Sequence, residues 1–375
     1  MDQCANSPDS VMEPGVAIGP SRKPEQQMFL KTYVKRVVLV AASATAALLL
    51  AGCENQDRNT RPILFTADEQ GRSISVINPE TGQVETTRIA VSPHNVQVSS
   101  DGRSLFAVGA SAPQGPDGEA EMDGPGRLLI FDASAVSKGP STTIPVGRMP
   151  AHVVVDARSE RAFVTSAGDN MLTVVDLKSG SVDRNITVGR SPHGLRMSPD
   201  GRTLYVANTG DGTVSVVDAV DLDEVERIPV GRGPVQVAFT PDGRFGYVTL
   251  RDENGTAVID TASRRVVARI PVGPGPIQVF ASPDGREVYV ANQGTEARPG
   301  NTVSVIDTAR QTVVATIVAG AGAHGVVVGG NGDRVYIANS FADTVSVLDP
   351  RTRRLVRTIP VGRGPGGISL AEVND

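Results

Sequence analysis

The chain has 375 residues, among them 40 Gly and 26 Pro, no Trp, and a net charge of −5. That density of turn formers excludes a long-helix or doubly wound architecture, and 41 acids against 36 bases with no basic run exclude phosphate neutralisation as the main activity. Both cysteines, Cys4 and Cys53, precede the folded body, so a disulfide framework is excluded too.

Residues 1–27 are polar and Pro-containing, and read as an extension or a mis-assigned start. From Met28 the positive residues Lys31, Lys35 and Arg36 lead into the apolar stretch Val37 to Leu50, short for a membrane span and of signal-peptide length. It ends in Leu50-Ala51-Gly52-Cys53, which resembles a bacterial lipobox. The resemblance implies a lipoprotein signal peptide over 28–52 and a lipidated Cys53 in a tether over 53–62, with acyl chains on sulfur and amine that together anchor stably. Cys53 is then an anchor and not a nucleophile. Glu54, where inner-membrane lipoproteins carry Asp, implies the periplasmic face of the outer membrane. The absence of a twin-Arg implies export unfolded, so any cofactor would be acquired afterwards.

The body, 63–371 before a tail over 372–375, is repetitive. Phe65, Phe106, Phe163, Tyr205, Tyr247, Tyr289 and Tyr336 each sit in a short apolar run such as LYVAN, GYVTL, VYVAN or VYIAN, and Phe163 to Tyr289 recur every 42 residues. Downstream, Asn78, Asp132, Asp176, Asp218, Asp260, Asp307 and Asp349 close a second run such as TVSVVD, as turn caps. Upstream stand Pro93, Pro150, Pro192, Pro234, Pro276 or Ala323, each heading a further run. With a fourth run such as VVARIPVG, and Asp-Gly hairpin signals at 101, 200, 242 and 284, each unit reads as four strands. A repeat of this length and strand count predicts an all-β, seven-bladed β-propeller of four-stranded blades. Pro365 heads one more inner strand, GISLA, and the first blade lacks one. The C-terminal strand is therefore expected to complete the first blade and close the ring, removing exposed edges.

These runs resemble the YVTN family of bacterial propeller repeats, which implies the fold and leaves the activity open. All four histidines stand at heads of inner strands: His94, His193 and His324 directly after Pro or Ala, and His152 two after Pro150. Imidazoles there can ligate a transition metal or grip an anion, and His94, His193 and His324 form the candidate metal set. These three share strand parity with Val96, Leu195 and Val326, which places them between blades, whereas His152 has the opposite parity. Arg148, Arg190, Arg232 and Arg363 recur as VGR before inner strands, either as a cationic mouth or as salt-bridged repeat chemistry. Insertions lengthen the second-to-third-strand loops of the second and sixth blades. The first, over 109–126, carries Asp117, Glu119, Glu121 and Asp123 without the Gly and terminal acid of a calcium loop.

The reading is a monomeric, membrane-anchored periplasmic, non-catalytic binding scaffold without a cofactor or nucleic acid. It binds a protein or small anionic ligand on the face carrying these His and Arg residues. HExxH, CxxCH, GxSxG and phosphate-loop patterns are absent, and enzyme status stays open. One rival is haem or transition-metal handling in a redox or maturation role. It rests on similarity to the haem-binding propeller of cytochrome cd nitrite reductases and their maturation lipoproteins, which implies His94, His193 or His324 as a ligand with Arg148 or Arg190 at the haem carboxylates. The other is a metal-dependent lactonase-like hydrolase, which needs channel carboxylates the sequence does not single out.

Overall fold

The computed structural model describes residues 60–111 and 125–374; the signal segment, Cys53 and the acids 117–123 lie outside the described residues. The described chain forms seven four-stranded antiparallel sheets. In each blade the inner strand follows a Pro or Ala, as in Pro234–Phe239, and pairs with an aromatic strand, Phe245–Leu250. Gly255–Asp260 and the outer Arg265–Pro271 complete the blade.

Closure is as the repeat register predicts. Strand Pro365–Asn374 lies antiparallel to Thr60–Asp68, with Phe65 opposite Ser369, and supplies the missing inner strand of blade 1. No sheet is then left half-built where the ends meet.

The burial patterns explain why the strand sequences differ from inside to outside. Aromatic strands such as Phe245–Leu250 are buried almost throughout because blades pack on both faces, whereas outer strands such as Arg265–Pro271 alternate exposed and covered residues. The core is seven separate wedges, one at each blade interface. Phe106 with Val153 fills the one between blades 2 and 3, and Tyr247 with Val288 the one between blades 5 and 6. All seven repeat aromatics are buried there. The Asp residues ending third strands cap turns: Asp176 Oδ1 accepts from the Ser179 amide, and Asp218 Oδ1 from Val220 and Asp221.

Glycine in the repeated VG element has a steric cause. A Cβ on Gly189, Gly273 or Gly320 would lie 2.4–2.6 Å from the side chain of Asn208, Asn292 or Asn339, which ends the aromatic strand of the next blade's sheet. Each of these Asn amides donates to a Thr and a Ser hydroxyl of the third strand, as Asn208 does to Thr213 and Ser215. In blade 1 the position is Asp68, fully buried, whose carboxylate instead accepts from Thr66, Ser73 and Ser75. Burial pushes its pKa up to about 6 despite these three hydroxyls.

Candidate metal centre at the channel mouth

The head of each inner strand carries a β-bulge. Pairing shifts register between Pro93 and Asn95, Pro150 and Val153, Pro192 and Leu195, and Ala323 and Gly325. A bulge adds one unpaired residue and restarts the alternation of side chains. In blade 3 the freed amide of His152 donates to Thr165 Oγ1, and the same hydroxyl donates at 2.6 Å to the His193 carbonyl of the next blade. Blade 5 repeats the device with Gln236, Thr249 and Ile277. The backbone at the channel mouth is thus held rigidly, by hydroxyls that also tie one blade to the next.

Parity therefore misleads at this point. His94 and His152, one repeat position apart, converge with ring centroids 5.8 Å apart, and His193 stands 5.1 Å from His94 and 5.0 Å from His152. Nitrogens of His94, His152 and His193 all lie within 4.8 Å of one another. Of the set expected from sequence, His94 and His193 stand together here, and the third ring beside them is His152. His324 stands further off, its centroid 6.4 Å from His94, with Nδ1 at 3.0 Å from the Gly366 carbonyl.

The ring partners fix the tautomers. His94 Nδ1 lies 3.3 Å from both carboxylate oxygens of Glu69, and His193 Nδ1 lies 3.3 Å from the Val235 carbonyl. Each Nδ1–H therefore donates outward, and the Nε2 atoms face each other at 3.1 Å. Two such lone pairs need a cation or a shared proton between them. His152 differs: Gln236 Oε1 accepts from the Val237 amide, so its Nε2 donates to His152 Nδ1 at 3.3 Å. The His152 ring proton then resides on Nε2, which is buried without a partner.

Burial and the neighbouring rings hold His152 and His193 well below the usual imidazole range, and burial with the His94 charge takes His324 down to about 4. At His94 burial acts the same way, but the Glu69 carboxylate outweighs it and raises the ring; burial alone would raise Glu69, and His94 draws it below the usual carboxylate range. Glu69 is the one acid beside these four imidazoles, and it favours a proton on His94 over the other three rings.

Below the mouth, a cavity of about 290 Å³ runs between the inner strands, lined by Asn95, Gln97, His152, Arg196, Gln236 and Gln278 among others. The VGR arginines are not part of it. Arg148 pairs with Asp169 at 2.8 Å and Arg232 with Glu253 at 3.9 Å on the exposed rim. Arg190 and Arg363 are exposed as well. Of the two readings of VGR, this is the salt-bridged repeat chemistry for Arg148 and Arg232. The blade 6 insertion extends strands Glu287–Thr295 and Arg298–Asp307 into a longer hairpin.

Sequence reasoning missed Glu69, Gln236 and Arg196. Glu69 follows the blade 1 aromatic strand in what reads as an ordinary turn. Superposing the repeats would have exposed Arg196: four residues after the heading Pro or Ala, the other blades carry Gln97, Val154, Ala238, Phe280, Val327 and Ser369.

A seven-bladed ring with an imidazole cluster at the head of its inner strands defines a channel-mouth propeller. The chain belongs to the lactonase seven-bladed β-propeller family, whose model matches residues 64–359. No curated protein matches the chain in sequence. Among solved structures it is similar to hydrazine synthase of Kuenenia stuttgartiensis, at 23% identity and a TM-score of 0.64 over 76% of this chain and 90% of that one. Proteins assigned as 6-phosphogluconolactonases from Bacteroides fragilis and Bacteroides uniformis each align at 17% identity and a TM-score of 0.67, over 85% and 84% of this chain and 99% and 100% of theirs. At these identities the likeness is one of fold.

Proposed function

We propose that the channel mouth binds one divalent transition-metal ion, zinc or copper, on His94, His193 and His152, in a periplasmic propeller tethered through lipidated Cys53. The observation that carries this is the approach of His94 Nε2 to His193 Nε2 at 3.1 Å with both Nδ1 atoms already committed. Two nitrogens about 2.0–2.1 Å from a tetrahedral zinc stand roughly 3.3 Å apart, close to that spacing. The Glu69 carboxylate on His94 is the outer partner that orients a ligating imidazole and raises its basicity. His152 joins by moving its proton to Nδ1, with Gln236 turning its amide to accept it.

Three imidazoles leave a coordination position for a ligand, so an ion there supplies Lewis-acid chemistry to whatever enters the mouth. Membership of the lactonase family favours one use of it, hydrolysis of a cyclic ester. Glu69, its side chain 45% exposed, stays ionised beside His94 and reaches the solvent at the mouth. This reading departs from the non-catalytic, cofactor-free scaffold expected from the sequence and keeps from it the ring as the support that presents the site.

The test is metal content. The full chain, expressed with its leader and extracted in detergent, should hold one equivalent of zinc or copper after dialysis against trace metal. His94→Ala/His193→Ala should hold none. An empty wild-type protein, or an equally loaded variant, overturns the assignment. Lactone turnover that disappears with chelator supports the hydrolytic use, and Cys53→Ser released from the membrane fraction supports the tether.

A further inference from the structure

We propose that the cavity under the mouth is a second, separate site, which takes a small anion bearing a carboxylate or oxyanion group on Arg196 and Gln278. Both side chains line the same cavity. Arg196 projects from the blade 4 inner strand, where its Nε approaches the Val237 carbonyl at 3.5 Å and its guanidinium lies 5.3 Å from the centre of the Phe280 ring. Among the described residues no carboxylate pairs with it. The acid on the same cavity wall, Glu372, is not paired with it and accepts at 2.7 Å from the Gly330 amide. Burial, with no compensating anion, takes the guanidinium pKa down to about 10.

The second observation is independent. Gln278, 5% exposed, has its amide Nε2 buried with no hydrogen-bond partner. Buried donors without partners are rare and costly, and each calls for an explanation. His152 Nε2–H, in the tautomer that Gln236 imposes, is a third unpartnered donor on the same wall. Donors on three residues lining one cavity, with no carboxylate paired to them, are the complement of an anionic oxygen group. The guanidinium offers the fork that a carboxylate or planar oxyanion matches in two bonds, with Phe280 supporting its face.

This site shares only His152 with the proposed metal centre: in the metal-free protein its Nε2–H is a donor, and with the ion bound Arg196 and Gln278 alone hold the anion. If both sites hold, the ligand of the mouth is an acid whose charged group descends into the channel. The anion site deepens the metal reading without depending on it.

The experiment is a thermal-shift and calorimetric titration of the full chain in detergent. It uses acetate, nitrate and inorganic phosphate as probes, on protein freed of metal by chelator. At least one probe should bind with one-to-one stoichiometry and raise Tm in proportion to the logarithm of its concentration. Arg196→Met should weaken that binding by tenfold or more and abolish the Tm rise, and Gln278→Leu should weaken it several-fold. Because Met keeps the apolar stem and removes an unpaired charge, Arg196→Met should itself melt no lower than wild type, so loss of binding is not loss of fold. Arg196→Lys should keep part of the affinity. Absence of binding by all three probes, or undiminished binding in Arg196→Met, overturns the anion site. Zinc content, measured on the same variants, should be unchanged in Arg196→Met, and its failure in wild type would reject the metal centre while leaving the anion result standing.

Discussion

The mouth of the ring has two unlike arcs built on one backbone plan. In blades 5 and 6 the residue after the heading Pro is Val235 or Ile277, buried, and the residue ending the blade 5 aromatic strand is Leu250, also buried. In the arc running from blade 7 through blade 4, the first of these positions holds His324, His94 or His193 in blades 7, 2 and 4 and Gly366 in blade 1, with His152 one place further on in blade 3. The bulge, the Thr hydroxyl and the pairing are alike in blades 3 and 5. The plan is therefore satisfied by aliphatic packing, and the imidazoles are not something the fold requires. Buried rings with an unpartnered nitrogen cost stability, and a position that could have been Val retains them for another reason.

The sharpest way to break the contrast is to make one arc like the other. His94→Val/His193→Val copies blades 5 and 6 into blades 2 and 4. It should reduce zinc or copper affinity about a thousandfold, roughly 4 kcal/mol of binding, while the melting temperature stays level or rises. A variant that melts far lower, by circular dichroism, would show that the rings serve packing.

Blade 1 offers a second substitution of repeat for exception. Asp68→Asn restores the residue found in blades 4, 6 and 7, whose amide donates to the same third-strand hydroxyls. The folded Asp68 keeps its proton up to about 6 while the unfolded carboxyl releases it near 3.8. Between these values the native state binds more protons, so stability falls as pH rises through that window. A gap of about two units corresponds to roughly 3 kcal/mol recovered at neutral pH, and urea melts of Asp68→Asn should lack the decline between pH 4 and 6.

How much of this was legible beforehand follows from what each residue depends on. Phe163, Tyr205 and Tyr247 mark the blades because packing between neighbours is repeated in every unit, and repetition can be read directly from the chain. Pro365 announced closure for the same reason. The placement of the histidines at the mouth was also legible, since it follows from their position at strand heads. Their grouping was not. It turns on a one-residue bulge that no residue type marks, and side-chain alternation read through that bulge puts His94 and His193 between blades rather than beside His152. Glu69 and Gln236 were hidden because their roles are tertiary: the first acts from blade 1 on a ring in blade 2, the second from blade 5 on a ring in blade 3.

Gln236 gives the next prediction, a sharpening of the contrast. The amide donates to His152 Nδ1 and so keeps the ring proton on the nitrogen that faces the other rings. Gln236→Glu puts an acceptor there, holds the proton on Nδ1 and frees Nε2 as a ligand, the carboxylate–histidine arrangement that supports metal binding elsewhere. Zinc affinity, by competition with a chromophoric chelator, should rise about tenfold. The same change removes one donor from the cavity beneath and should weaken acetate binding to metal-free protein.

The smallest expected effect separates the two candidate ligand sets. His324 is neutral through the physiological range, its single hydrogen bond reaches the Gly366 carbonyl, and its counterparts in blades 5 and 6 are Val235 and Ile277. His324→Val exchanges that bond for aliphatic packing, a change of no more than about 1 kcal/mol in either direction. Metal content should stay at one equivalent, because His152 rather than His324 is the third nitrogen near His94 and His193. Loss of the ion from His324→Val together with its retention in His152→Val would reverse that assignment. It would mean that the mouth reorganises on binding to draw in a ring from across the channel.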